Sequence, residues 1–248
     1  MQQIGSERKA MFEVAVVAAV PREIGPLVKG WRRVEREFGM IAYEFFESDS
    51  IVLVCGGIGA DAARRATEAI VGLYQPTELI SVGFAGALEG KLRVGDVFEP
   101  ELVVDARDGS RWPAEGGSGV VVSFASVADQ GQKAKLGRAY SAQAVDMEAA
   151  SVAKGAEAHK LRFRAVKAIS DELGFSMPAM ERFVTQEGRF RTSAFAISTV
   201  LRPWTWGSVF QLARNSAKAS RNLCARLSGL LGIQQNRGGA ALGVQNRS

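Results

Sequence analysis

Three acidic side chains stand where short apolar runs end. Glu23 follows Val14–Val20, Glu148 lies in Val145-Asp146-Met147-Glu148-Ala149-Ala150, and Asp171 closes Ala168-Ile169-Ser170-Asp171. A buried carboxylate is costly unless it is paired, hydrogen-bonded or protonated. Three of them at the ends of candidate strands point to a cavity that moves protons. Each has a plainer reading in isolation: Asp171 as a helix cap, Glu148 as a first-turn helix residue, Glu23 as a solvated turn. Asp146 reads as structural, and His159, in the polar stretch Ala158-His159-Lys160, as an exposed helix end.

Other chemistries find little support. The chain has one histidine and two cysteines, Cys55 and Cys224, far apart in sequence. A zinc site and a disulfide framework are therefore not expected, a serine–histidine–acid triad would have to use His159, and a reducing cytoplasm fits. The composition, 47% hydrophobic and 23% charged over 248 residues, is that of a globular domain. The segment Met11–Val20 is interrupted by Glu13 and stopped by Pro21-Arg22-Glu23, so it reads as a first strand rather than a signal segment. No apolar run approaches the roughly 18 residues of a membrane span. Gly57-Ile58-Gly59-Ala60-Asp61-Ala62 fits the G-x-G-x-x-A pattern, with Glu78 further on, but it follows the second strand. Its glycines read equally as a close approach of backbone to a ligand or a neighbouring strand.

The elements that must position the carboxylates alternate along the chain. Strands are expected at Val14–Val20, Ile51–Cys55, Leu79–Gly83, Val97–Val104, Val120–Ser123 and Ala165–Ile169, with Tyr43–Glu47 as a hairpin partner. Helices are clearest at Ala60–Tyr74 and Ala149–Ala158, and polar, Gly-rich Asp105–Gly119 predicts a loop or hairpin tip. This order predicts an α/β fold, a three-layer sandwich whose central mixed, largely parallel sheet is flanked by helices. One domain is expected over 11–232, with flexible termini at 1–10 and 233–248. The net charge of +5 is concentrated late: ten Lys and Arg against one acid, Glu187, from Arg182 onward. Within it, Trp206, Phe210, Ala213, Ala217, Leu223 and Leu227 mark a helical stripe over Trp204–Leu231, flanked by Arg214, Lys218, Arg221 and Arg226. That helix should dock on the sheet, the second reading being one that lies on an anionic membrane surface. No nucleic-acid motif accompanies the charge, so no nucleic-acid partner is expected.

Taken in order, the segments resemble the purine nucleoside phosphorylase and nucleosidase superfamily, and within it the 5′-methylthioadenosine/S-adenosylhomocysteine nucleosidase branch. The resemblance is carried by Val16–Glu23, Gly56–Gly59, Ser81-Val82-Gly83-Phe84-Ala85-Gly86-Ala87-Leu88 with Val94–Val97, Val145–Ala150 and Ala168–Asp171. It implies a nucleoside phosphorylase-like fold and cleavage of the N-glycosidic bond of a purine nucleoside, adenine the expected base. Asp171 would be the acid that protonates the base at N7, with Ser170 positioning it. Glu148 beside Met147 would grip the ribose hydroxyls, and Glu23 would orient or deprotonate water. Ile58, Gly83, Phe84, Ala85, Gly86, Phe124 and Val127 would line the substrate.

The chain departs from the pattern at three places. Phe84 stands where the nucleosidase branch tends to carry a small polar residue. Asp105–Gly119 is shorter than the family's usual excursion. Val127 takes the place of a base-stacking aromatic, with Phe124 close enough to substitute. Glu23 beside the nucleophile repels phosphate and favours water, so hydrolysis is expected, while Arg22, Arg64 and Arg65 keep phosphorolysis, with phosphate as co-substrate, as the alternative. A non-catalytic nucleoside-binding protein is the other reading. The shortened middle and the Leu201–Arg214 stretch also resemble hopanoid-associated phosphorylases, which implies an adenosine with a large apolar 5′ substituent. No metal or organic cofactor is implied, and a homodimer or higher homo-oligomer is.

Overall fold

The computed structural model describes residues 12–175 and 206–233. The sheet is built around three apolar segments that read as near-continuous hydrophobic runs, the pattern of strands covered on both faces. β1 (Val14–Ala18) lies parallel to β4 (Ile51–Cys55) on one side and to β5 (Glu78–Ala87) on the other. β11 (Arg162–Asp171) runs parallel to β5 along its whole length. Antiparallel strands extend the edges. The hairpin β2 (Arg32–Phe38) and β3 (Ile41–Ser48) adds beyond β4, and β6 (Val97–Phe98) pairs with β11. On the far side β10 (Ala144–Asp146), β9 (Val120–Ser123), β7 (Leu102–Asp105) and β8 (Arg111–Pro113) continue from the end of β5. Among the described residues the result is an 11-stranded mixed sheet.

Helices cover both faces. α2 (Ala60–Tyr74) and α4 (Ala149–Ala158) pack on each other and on one face, over a core that includes Ala15, Val17, Val54, Ala66, Ile70, Leu79 and Val152. The short α1 (Pro21–Ile24) and the C-terminal helix, α5 (Trp206–Leu230), cover the other face through Ile24, Leu223 and Leu227 against Val16, Leu53, Ile80 and Val166. Each leucine fully buried there contributes about 1.5–3 kcal/mol. α3 (Gln130–Tyr140) sits over the β9–β10 end, where Leu136 joins Leu88, Val122 and Val145. Three layers and a mixed sheet are what the alternation of elements predicted.

Several boundaries differ from expectation. Val97–Val104 is two strands, because Pro100 cannot donate to a ladder and the chain turns between β6 and β7. Ser81–Leu88 is not a strand followed by a loop: β5 runs on through Gly83, Phe84, Ala85 and Gly86. Asp105–Gly119 holds the tip expected of a hairpin together with its second strand, β8, whose Trp112 is buried and donates Nε1–H to Glu157 Oε2 at 2.8 Å. The stripe of α5 is also displaced in its first half. Leu212, Ser216, Ala219, Ser220, Leu223, Cys224 and Leu227 face the sheet, whereas Ala213 and Ala217 are exposed and Phe210 is 68% exposed. Serines occupy the buried face there because their hydroxyls have acceptors: Ser220 Oγ donates to the Glu23 carbonyl and Ser228 Oγ to the Cys224 carbonyl. The helix docks on the sheet as expected; its second reading, lying on a membrane surface, concerns the exposed face, and among the described residues no helix is long and apolar enough to cross a membrane. The termini 1–10 and 234–248 and the start of the Leu201–Arg214 stretch, 201–205, lie outside the described residues.

Candidate active site

The carboxyl ends of β1, β4, β5, β10 and β11 bring the motif residues to one rim of the sheet, the edge where open α/β sheets hold their ligands. Glu23 follows β1 in the first turn of α1 and is 4% exposed. Its Oε2 accepts the backbone N–H groups of Ala19 and Val20 at 2.9 and 3.0 Å, and its Oε1 accepts that of Phe84 at 3.1 Å. The carboxyl lies flat against β5 at Gly83, where a Cβ would stand 2.9 Å from Oε1, so only glycine leaves room for it. Burial pushes the Glu23 carboxyl above its ordinary range, partly offset by the Val20 and Phe84 N–H groups and by the Lys167 ammonium.

Glu148 arrives from the end of β10 at the start of α4. It does not cap that helix. Asp146 Oδ2 accepts the Ala149 N–H at 2.9 Å and Ser123 Oγ accepts the Ala150 N–H at 2.9 Å, so the capping is done by neighbours. Glu148 is left to reach across to the N-terminus of α2, where its Oε1 takes the Gly59 N–H at 2.7 Å. The Gly57–Gly59 turn, nominally a dinucleotide pattern, commits that N–H to a side chain of its own chain. Burial first, then the Asp146 carboxylate, and more weakly Glu23, push Glu148 up to about 8, against the pull of Lys167. Glu23 and Glu148 therefore occupy one electrostatic field.

Asp171, 4% exposed, ends β11. Ser170 Oγ donates to its Oδ1 at 2.7 Å, as expected of a positioning serine, and the Lys133 ammonium of α3 is ion-paired with Oδ2. Asp171 thus meets a cation rather than a second carboxylate. Its carboxyl and the Lys133 stem both lie over Gly86, where a Cβ would stand 2.8 Å from Asp171 Oδ2 and 3.2 Å from Lys133 Cε. Gly83 and Gly86 are three positions apart on one strand, about 10 Å at 3.3 Å per residue. Glu23 lies against the first of them and Asp171, with Lys133, against the second.

The remaining expected residues are placed as follows. Ala85 and Gly86 are buried in β5 beside Ile169 and Asp171 of β11. Phe84 gives Glu23 its N–H while its half-buried ring packs with the cluster under α5. Phe124 packs against the cluster under α3, and its N–H donates to the Asp146 carbonyl at 2.8 Å. Ile58, Val127 and Met147 are half-buried at the ends of β4, β9 and β10. Arg22 and Arg64 are exposed, and Arg64 and Arg65 lie beside Tyr43 of β3.

Two lysines at this rim were not read from the sequence. Lys167 of β11 has no exposed surface; its Nζ is 2.8 Å from Asp146 Oδ2 and donates to Ser81 Oγ at 2.9 Å. A lone cation inside the apolar run Ala165-Val166-Lys167-Ala168-Ile169 was a readable signal, since such a charge must find an acid. Lys133 is 1% exposed and sits in the first turn of α3. The unread signal for that helix was its cap, Asp129, whose side chain accepts the Gln132 N–H while Gln132 accepts the Asp129 N–H.

Known proteins resemble this chain in part of its sequence and in its fold. A model of the phosphorylase superfamily matches residues 13–119. A 5′-methylthioadenosine/S-adenosylhomocysteine nucleosidase from Marinomonas is 30% identical over 98 residues, 38% of this chain and 42% of that protein. One from Halalkalibacterium halodurans is 33% identical over 91 residues, 35% of this chain and 39% of that protein. The chain thus spans less than half the length of these sequence relatives. Solved structures match almost end to end. The Streptococcus pneumoniae MTA/SAH nucleosidase in complex with 8-aminoadenine has a TM-score of 0.66 at 19% identity, covering 90% of this chain and 100% of that one. The futalosine hydrolase of Helicobacter pylori has a TM-score of 0.63 at 16% identity, covering 88% and 98%. The chain thus resembles the phosphorylase superfamily in sequence over residues 13–119 and shares the fold of these nucleosidases over most of its length.

Proposed function

We propose that the protein is a nucleosidase that hydrolyses the N-glycosidic bond of an adenine nucleoside carrying a 5′ substituent. The observation that carries this reading is the shared electrostatic field of Glu23, which lies against Gly83, and Glu148, with Asp171 further along the same strand over Gly86. Cleavage leaves a cation-like sugar and an electron-rich base. Glu148, in contact with the ribose hydroxyls, would hold the sugar and stabilise its positive charge. Glu23, fixed by three backbone N–H groups, would orient water at C1′ and accept its proton. A proton reaches the base at the Asp171 end, a contribution typical of general acids at about 10²–10⁴ in rate. Ile58, Met147, Phe84, Phe124 and Val127 would supply the apolar lining. A carboxylate at the water position and arginines placed elsewhere favour water over phosphate as nucleophile. The chemistry as read uses neither a metal nor an organic cofactor. A cytoplasmic homo-oligomer accompanies the reading, and the free thiols of Cys55 and Cys224 suit a reducing compartment.

The test is direct. Methylthioadenosine, adenosylhomocysteine, adenosine and inosine are each incubated with the protein, with and without phosphate. The expected result is free adenine and a free reducing sugar from the 5′-substituted adenosines, at a rate that phosphate does not raise. Sugar 1-phosphate formed only with phosphate would move the reading to phosphorolysis. Binding without release of base from any nucleoside would reject catalysis.

The exposed half of α5 favours a large apolar 5′ substituent drawn from a membrane surface. Phe210 projects beside exposed Arg214, Lys218 and Arg221, an apolar residue among cations as on helices that lie on anionic lipid. Co-sedimentation with vesicles rich in an anionic phospholipid is expected for the wild type. It should drop by about tenfold or more when Arg214, Lys218 and Arg221 become Glu, since each basic residue near such a surface is worth about 1 kcal/mol. Equal sedimentation of the two proteins rejects the contact.

A further inference from the structure

Asp171 is fully engaged. Ser170 donates to one carboxylate oxygen and Lys133 to the other, and the Lys133 ammonium also donates to the Glu172 carbonyl at 2.9 Å. Gln130, one turn ahead on α3, donates to the Gly174 carbonyl at 2.5 Å, so the start of α3 grips the chain on both sides of the turn after β11. A carboxylate held as an anion has no proton to give a departing base. The acidic hydrogens in contact with it belong to the Lys133 ammonium, the Ser170 hydroxyl being a far weaker acid.

Resting on the nucleosidase reading above, we propose that Lys133 is the proton reservoir for the leaving base, acting through Asp171. As the C1′–N9 bond breaks, its electron pair stays on the base. Asp171 passes a proton to N7 and takes one from Lys133 Nζ. The pair thereby goes from ammonium and carboxylate to neutral amine and carboxylate, the base leaves neutral and the sugar carries the positive charge. Water then adds at C1′, and the amine recovers a proton from solvent once the products have left. Two features fit the role. The Lys133 side chain is 1% exposed, so bulk water does not short-circuit the transfer, and Gly86 leaves space for both groups on the same patch of β5.

Lys133→Arg separates this from a merely structural clamp. A guanidinium keeps Asp171 paired but does not give up its proton in proteins. The variant is assayed on methylthioadenosine, whose base needs a proton, and on 4-nitrophenyl β-ribofuranoside, whose phenolate departs without one. The expected result is a fall of about 10²-fold in kcat on the nucleoside, in the range of general-acid effects, and less than about threefold on the nitrophenyl riboside. Lys133→Met should give the same split, and because Lys133→Arg retains the ion pair the test stands even where Lys133→Met does not fold. A Lys133→Arg enzyme that cleaves the nucleoside at the wild-type rate, or loses both substrates in step, overturns the proposal. Wild-type protein that releases no base overturns the nucleosidase reading, and this inference with it.

Discussion

Asp171→Asn lowers base release from methylthioadenosine by about 10³-fold and the melting temperature by about 10 °C, and the two losses separate when Lys133 is also changed to Met. The catalytic part follows from chemistry: the amide neither takes a proton from Lys133 nor hands one to N7, and general-acid contributions run to about 10²–10⁴. The stability part follows from the pair. Lys133 is 1% exposed, and its ammonium would face a neutral amide and a carbonyl. Breaking one partner of a buried pair costs about 3–5 kcal/mol, and a domain of this size loses about 2–4 °C per kcal/mol. Lys133→Met on the Asp171→Asn background removes the stranded charge, so most of the melting temperature returns while activity stays lost. Parallel measurement of adenine release and thermal unfolding on the wild type and the two variants decides it. Wild-type turnover by Asp171→Asn would falsify the assignment of Asp171 outright.

The frame of the site was legible because its physics is local. Apolar runs such as Val14–Val20 and Ile51–Cys55 can only be strands covered on both faces, and α2 was readable to its ends at Ala60 and Tyr74. Glu23, Glu148 and Asp171 follow such runs, which is why they surfaced as candidates. Two elements were missed for opposite reasons. β2, Arg-Arg-Val-Glu-Arg-Glu-Phe, is an exposed edge strand whose charges hide the alternation, and its existence depends on pairing with β3. α3 carries Gly131 and Gly137 and little apolar periodicity, so its helix rests on the Asp129 cap and on docking at Leu136 and Lys133. With α3 unread, the partner of Asp171 was unreadable too, since Lys133 and Asp171 meet only through the fold.

The same limit applies to α5. Sequence periodicity put Phe210, Ala213 and Ala217 on the docking stripe with Leu223 and Leu227. The buried face instead turns toward Leu212, Ser216 and Ser220 because that side meets β11 and α1 and offers Ser220 the Glu23 carbonyl. An acceptor at the end of a neighbouring element outweighed one or two alanines, a trade that no count of apolar positions contains. As a result, the helix that braces the Glu23 turn also presents Phe210 outward.

Lys167→Met should destabilise the protein by an amount that grows with pH. Lys167 is completely buried between Asp146 and Ser81, and it also draws Glu148 and Glu23 toward their charged forms. In the wild type Glu148 titrates near 8, above its ordinary 4.5. The folded chain therefore holds a proton there that the unfolded chain has released. A raised carboxyl contributes stability that is complete below about 4.5 and is lost as pH climbs through about 8. Without the lysine, Glu148 and Glu23 rise further and Asp146 keeps only its hydroxyl and amide donors, so ionising this cluster becomes more expensive at every step. The melting temperature of Lys167→Met should lie about 10 °C below wild type at pH 9, from a lost buried pair of about 3–5 kcal/mol. At pH 5, where Glu148 is protonated in either protein, the gap should narrow. Adding Glu148→Gln should flatten the pH dependence of both backgrounds, because that side chain no longer titrates. Thermal unfolding of the four proteins between pH 5 and 9 measures this, and a gap that stays constant or closes as pH rises means that Lys167 does not hold the carboxylate cluster.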